Sequence, residues 1–333
     1  MNHMREQERY EIQRLRRQKK LRAKRRRRRQ RIYRVIGCIC FLLVFVGGVS
    51  LVKNAQNIKE ESVRKDTGSV KTVMETTTEN SRIEETSFSK AVDASKTNNN
   101  VPKEYEEYLE DLVALVKKDS RATPILENIE EYPVDLIYSL SKNDELLDFV
   151  LDYPDKKDLE EDIEISETIE EGKCPEFVQW DERWGYLKYG DNIMAVNGCG
   201  PTCLSMVVMG LTGDKEQTPK AIADFSNENG YYFESGTSWE LMTEGALQLG
   251  LGCQEVGGDA NSILTQLAMG HMLIVSVGPG DFTSAGHYIV VESVNDDDTV
   301  NIHDPNSKNR SAKEWEPSVI ASQAKNIWAY WKK

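Results

Sequence analysis

The 333-residue sequence contains only 6 cysteines and 4 histidines, so each position able to do thiol or imidazole chemistry can be weighed singly. Two cysteines fall four residues apart in Asn197-Gly198-Cys199-Gly200-Pro201-Thr202-Cys203. A zinc pair needs two further ligands, and the spacing offers neither a CxxC pair nor a nearby Cys/His cluster to complete one. Cysteines at i and i+4 of one helix also point poorly for a disulfide. The apolar positions Cys203, Leu204, Val207, Val208 and Leu211 predict a helix with one buried face, ending near Gly210 and Gly213. Pro201 suits its first turn, where a missing N–H costs nothing. Cys199 then stands at the helix start, where unpaired N–H groups and the positive dipole end stabilise a thiolate. Cys203, one turn deeper, is an inert core thiol. The spacing therefore favours Cys199 as a nucleophile, with a purely structural cysteine as the competing reading.

A thiol nucleophile needs a base, and the base an orienting partner. His3 precedes the apolar segment described below; His271, His287 and His303 remain. The segments 287–294 and 299–304 are rich in Ile and Val, with turn residues Asn295-Asp296-Asp297-Asp298 between them, and predict a β-hairpin. If Val294 pairs near Thr299, position 287 falls opposite 304–306, which brings His287 and Asp304 to the same end of adjacent strands. His303 alternates to the other face of the sheet. His287 as base and Asp304 as its orienter is the favoured pairing, and His271 reads as a satisfied strand-end histidine. Acyl transfer also needs donors for a developing oxyanion. The Cys199 N–H is one candidate, and the Gln179 amide in Phe177-Val178-Gln179-Trp180 is a second.

The elements that must carry these residues occupy the C-terminal part of the chain. All 6 tryptophans and 17 of the 22 glycines lie between Cys174 and Lys333, which predicts an α/β or α+β domain with tight turns and a shaped cleft. Upstream, residues 1–34 carry 16 Lys and Arg against 3 Glu, whereas the whole chain has a net charge of −13. Residues 35–52 form an uncharged apolar run of 18 residues. As a helix at ~1.5 Å per residue it would extend about 27 Å, close to a hydrocarbon core. The basic run Lys24–Arg29 beside it fits the positive-inside rule better than a nucleic-acid patch. The expectation is a retained single-pass transmembrane helix with a cytoplasmic N-terminus, not a cleaved signal peptide. Residues 53–100, polar and almost without aromatics, read as a disordered stalk. Residues 101–173 read as a prelude of four helices and an acidic connector. Thr123-Pro124 is a helix start with a capping hydroxyl, and Pro133 and Pro154 act as punctuation. A packing module or spacer is the expected role of this part. Four cysteines beyond the apolar segment are too sparse for a disulfide scaffold.

The segment from Val178 to Gly213, with "VQWDERWG" and "NGCGPTCLSM", followed by "GHYIVVESVNDDDTVNIHDPN", resembles the peptidase domain family related to bacteriocin-leader-processing cysteine peptidases. The resemblance covers roughly residues 175–331 and implies an α+β, papain-like fold in residues 174–333. A helical part carries the nucleophile and an antiparallel sheet carries His and Asp. By position it implies Cys199 as nucleophile, His287 as base, Asp304 as orienter and Gln179 as the oxyanion amide, with no metal and no organic cofactor. It also extends to a helical segment like residues 132–154. The leader-processing members are fused to an exporter ATPase, but this sequence has no GxxxxGK[ST] phosphate loop. The expected function is therefore a membrane-anchored extracytoplasmic peptidase or amidase acting on peptide, protein or cell-wall peptide bonds, without a nucleic-acid partner. Transglutaminase-like acyl transfer through the same thioester and a non-catalytic binding domain on the same fold are the alternatives.

Overall fold

The computed structural model describes residues 101–158, 163–233 and 236–333. The basic segment 1–34, the apolar segment 35–52 and the stalk 53–100 lie outside the described residues. Among the described residues, no helix is long and apolar enough to cross a membrane.

Residues 101–158 hold the four expected helices: α1 (Leu109–Lys118), α2 (Thr123–Glu127), α3 (Val134–Lys142) and α4 (Leu147–Lys156), joined by 3-10 turns. Each is too short to persist alone, so packing of its apolar face must hold it. Leu112, Ile125, Leu136, Ile137, Leu140, Leu146 and Val150 supply that packing as a common core. Two expectations are corrected. The Thr123 hydroxyl does not cap its helix; it donates back to the Ser120 carbonyl at 2.7 Å. Pro154 does not end α4 but sits inside it. This close to the C-terminus it removes only one backbone hydrogen bond, which the packed face of the helix outweighs.

The helical prelude is not a detached spacer. Its core takes in Tyr186, Ile193 and Ala195 of the following domain. The Phe149 and Tyr186 rings stack at 4.1 Å, and the Tyr186 hydroxyl donates to the Phe149 carbonyl at 3.0 Å. The described part of the acidic connector is likewise fastened down. Ile165 is buried, Gly172 N–H donates to the Gly210 carbonyl at 2.7 Å, and Arg183 donates to Glu167.

The rest of the chain is built on a six-stranded sheet. Its strands are β1 (Leu251–Val256), β2 (Met272–Val277), β3 (His287–Val294), β4 (Val300–His303), β5 (Glu314–Trp315) and β6 (Ala324–Lys332). The spatial order is β1-β6-β2-β3-β4-β5, with every neighbouring pair antiparallel. In β2 every residue is buried, as expected of an inner strand covered on both faces. One face packs on α6 (Cys199–Thr212), which follows the short α5 (Met194–Asn197); Ile274, Tyr288, Val290, Trp328 and Tyr330 meet Leu204, Val207 and Val208 there. The other face lies under helices Ala260–Ala268 and Pro317–Gln323, through Val275, Ile289, Val291, Ile302 and Ile327. This mixture of helix and antiparallel sheet fits an α+β, papain-like architecture.

The cysteine helix departs from its expected pattern. Every residue from Gly200 to Leu211 is buried, so α6 has no solvent face and is the central helix of the domain. A helix apolar on all sides is a core helix, and the one-face reading counted only its strongest residues. It ends where expected, with Gly213 at φ 75° in the left-handed conformation that glycine adopts without penalty.

Candidate active site

The helix α6 begins at Cys199, so the Cys199 N–H is among the donors that no earlier turn can satisfy. The entry is abrupt because α5 ends just before it. Gly198 folds back so closely that a Cβ would lie 2.4 Å from the Met194 carbonyl oxygen. A Cβ on Gly200 would lie 2.7 Å from the Thr237 side chain. Small residues on both sides thus let neighbouring chain close around the thiol without covering it. Cys199 is partly exposed, whereas Cys203 is fully buried, and burial pushes the Cys203 thiol well above its ordinary value. The two have unequal surroundings, as their positions predicted. The four described cysteines are free thiols.

The hairpin β3–β4 forms as expected, except that β4 begins at Val300. Val294 pairs with Val300 at the turn, and a shift between Val291 and Ser293 leaves Val290 opposite His303. This irregularity corrects the starting register and restores the alignment needed farther along, so His287 and Asp304 meet at the open end. His287 Nε2 lies 2.7 Å from Asp304 Oδ1, and Cys199 is near enough to the same ring to raise its basicity. With Nε2 on the carboxylate, Nδ1 is the ring nitrogen left for the thiol.

The electrostatics follow from this placement. Burial lowers the basicity of the His287 imidazole, but the adjacent Asp304 carboxylate and the nearby Cys199 outweigh it, and the pKa is pushed up to about 9. Burial opposes the Asp304 charge as well, yet His287 and Arg310 hold the carboxyl below the usual carboxylate range. Arg310 Nε donates to Asp304 Oδ2 at 2.5 Å, and the Asn306 N–H donates to Oδ1 at 2.8 Å. Neither Arg310 nor Asn306 has a signal in the sequence. Both sit in the loop after β4, and only its return toward Asp304 gives them a partner.

The other histidines lie elsewhere. His303 Nε2 meets Glu292 Oε2 at 3.0 Å, on a carboxylate that also accepts the Cys174 N–H. His271 Nδ1 meets Gln266 Oε1 at 2.7 Å and stacks on Trp331, so it is a satisfied strand-end histidine. Gln179 lies beside the segment that leads to Cys199. Its amide nitrogen donates to the Ala195 and Val196 carbonyls at 2.7 and 3.2 Å, while its buried Oε1 has no partner. The side chain is adjacent to the site, but both amide hydrogens are committed to α5.

Thr237 and Tyr288, neither singled out by the sequence, close another side. The Tyr288 hydroxyl donates to the Thr237 carbonyl at 3.0 Å, and Thr237 Oγ1 meets the Tyr189 hydroxyl at 2.9 Å. No group of three or more metal-ligating side chains occurs among the described residues.

A partly exposed thiol at a helix start, an imidazole with raised basicity and a buried carboxylate can hold a thiolate–imidazolium pair and carry nucleophilic acyl chemistry. That is the working arrangement of a cysteine hydrolase. In keeping with it, residues 173–333 match the model of the Peptidase_C39 like family, as the resemblance of residues 175–331 implied. No curated protein matches the chain. The match is to a peptidase family, and it supports a cysteine peptidase-type domain in this segment.

Proposed function

We propose that this protein is a membrane-anchored cysteine peptidase or amidase that uses Cys199, His287 and Asp304 as its triad. The observation that carries this reading is the buried His287–Asp304 pair at 2.7 Å beside the partly exposed Cys199 at a helix start, with the imidazole basicity raised to about 9. Cys199 gives its proton to His287, and the imidazolium is held by the Asp304 carboxylate. The thiolate adds to the substrate carbonyl carbon, and the C–N bond breaks as His287 returns the proton to the leaving amine. Water then adds to the thioester while His287 takes its proton, and the thiol leaves as the acid is released. The Cys199 N–H serves the oxyanion. Gln179 serves it too when one amide hydrogen leaves its α5 carbonyl and turns toward the oxyanion. No cofactor enters these steps.

Anchoring rests on the uncharged run at 35–52 behind a strongly basic segment, which supports a single span with residues 53–333 outside the cytoplasm. Peptides, proteins or cell-wall peptides on that side are the proposed substrates. N-terminal profiling of surface peptides from cells carrying wild-type or Cys199→Ala protein tests the reading. New N-termini that appear only with the wild type support it. Amine incorporation without new N-termini would make the domain an acyltransferase, and neither product would reduce it to a binding domain.

A further inference from the structure

The helical prelude reaches the loop that carries Asp304, and its contacts there are polar and specific. Glu145, in the turn between α3 and α4, accepts a hydrogen bond from Ser307 Oγ with one carboxylate oxygen and from the Asn309 N–H with the other, at 3.1 Å. Ser307 is almost fully buried, and its hydroxyl also caps the short helix Lys308–Ser311 by accepting from the Arg310 N–H at 3.1 Å. Arg310 is the residue that grips Asp304 Oδ2. Asn143, buried and two residues before Glu145, donates to the Asn306 carbonyl. The Asn306 N–H in turn donates to Asp304 Oδ1, the oxygen that faces His287. Both carboxylate oxygens of Asp304 are thus steered by loop residues that the prelude holds from outside.

We propose that residues 101–158 act as a fixed clamp on the triad, with Glu145 as a positioning residue that sets Asp304 against His287 through Ser307 and Arg310. The inference rests on the proposed triad and adds a role for the helical module. Orientation of this kind has large kinetic leverage, because small misplacement of a reacting group sharply lowers the rate. The titratable groups facing His287 are Asp304 and Cys199, with Arg310 behind the carboxylate. Loosening the loop weakens the support for the imidazolium.

The test uses the full-length chain, its histidines labelled with 13C, and a small alkylating probe. In the wild type, Cys199 should alkylate at neutral pH at a rate that collapses in His287→Ala. In Glu145→Gln the His287 titration midpoint should fall by about one pH unit and alkylation should slow by about tenfold. Asp148→Asn, which breaks only the exposed pair with Arg121 in the same module, should leave both unchanged. Ser307→Ala is the second variant, with the same expected shift if Glu145→Gln does not fold. A folded Glu145→Gln or Ser307→Ala protein with the wild-type His287 midpoint overturns the clamp. A wild-type Cys199 whose alkylation ignores His287 overturns the triad instead, so the two failures are distinguishable.

Discussion

His287 and Asp304 face each other from the ends of adjacent strands at 2.7 Å, with the aspartate 1% exposed. A carboxylate so far from water is tolerable only because His287, Arg310 and the Asn306 N–H together occupy its oxygens. Asp304→Asn keeps the shape but removes the charge that supports the imidazolium. Hydrolysis should fall by about 10²-fold or more. Stability should fall by about 3 kcal/mol, because Arg310 loses its buried partner. Steady-state kinetics and denaturant unfolding measure the two effects separately.

The same pair makes stability depend on pH. His287 binds its proton more tightly in the folded chain, with a pKa of about 9 against about 6.5 when unfolded. Its contribution is fully present below about pH 6.5 and is lost as pH rises through 9. The depressed carboxyl of Asp304 works in the opposite sense: its contribution is present above the unfolded carboxylate range and is lost as pH falls through the folded value. Thermal melts across pH should therefore show a loss of Tm between about 6.5 and 9 that is absent from His287→Gln.

The two cysteines of the α6 stretch should separate cleanly on substitution. Cys199→Ala is expected to abolish hydrolysis with little change in stability, since the thiol is partly exposed. Cys203→Ala should retain activity and cost about 1 kcal/mol, the scale of a small cavity in the core. Intact-mass readout of alkylation, beside melts of both variants, checks each half.

Gly198 permits the abrupt start of α6. An alanine there would place its Cβ 2.4 Å from the Met194 carbonyl oxygen, a backbone atom that cannot swing aside. Gly198→Ala should destabilise the domain by about 1–3 kcal/mol. It should also lower kcat by about 10²-fold, by displacing Cys199. A crystal structure of the variant would show whether the helix start has moved.

Phe149→Ala removes the ring that stacks on Tyr186 where the prelude joins the peptidase-type domain. The loss should be about 3–5 kcal/mol, as for other fully packed aromatics. Limited proteolysis should then cut first within residues 101–158, since that module depends on the shared core.

Much of the site was legible because its signals are local. Cys199 at a helix start follows from glycines, a proline and apolar spacing within about a dozen residues. The β3–β4 hairpin follows from two β-branched runs and an Asn-Asp turn, and its period-two alternation assigns His303 and Asp304 to different partners. The expectations that failed were also local ones, overruled by packing. Pro154 is absorbed into α4, and the Thr123 hydroxyl donates to the Ser120 carbonyl instead of accepting from the N–H groups of its own helix start.

What the sequence determined alone was therefore the chemistry available: a thiol at a helix start, one histidine aligned with one aspartate, and the strands and helices that carry them. Tertiary structure decided how that chemistry is held. The loop after β4 turns Arg310 and Asn306 onto Asp304, the irregularity near Ser293 sets the register, and Glu145 reaches Ser307 across 162 residues of chain. Periodicity and turn chemistry act over a few residues and can be read along the chain. A buried carboxylate instead recruits whatever donors the fold brings within about 3 Å, and no spacing in the sequence records which those will be.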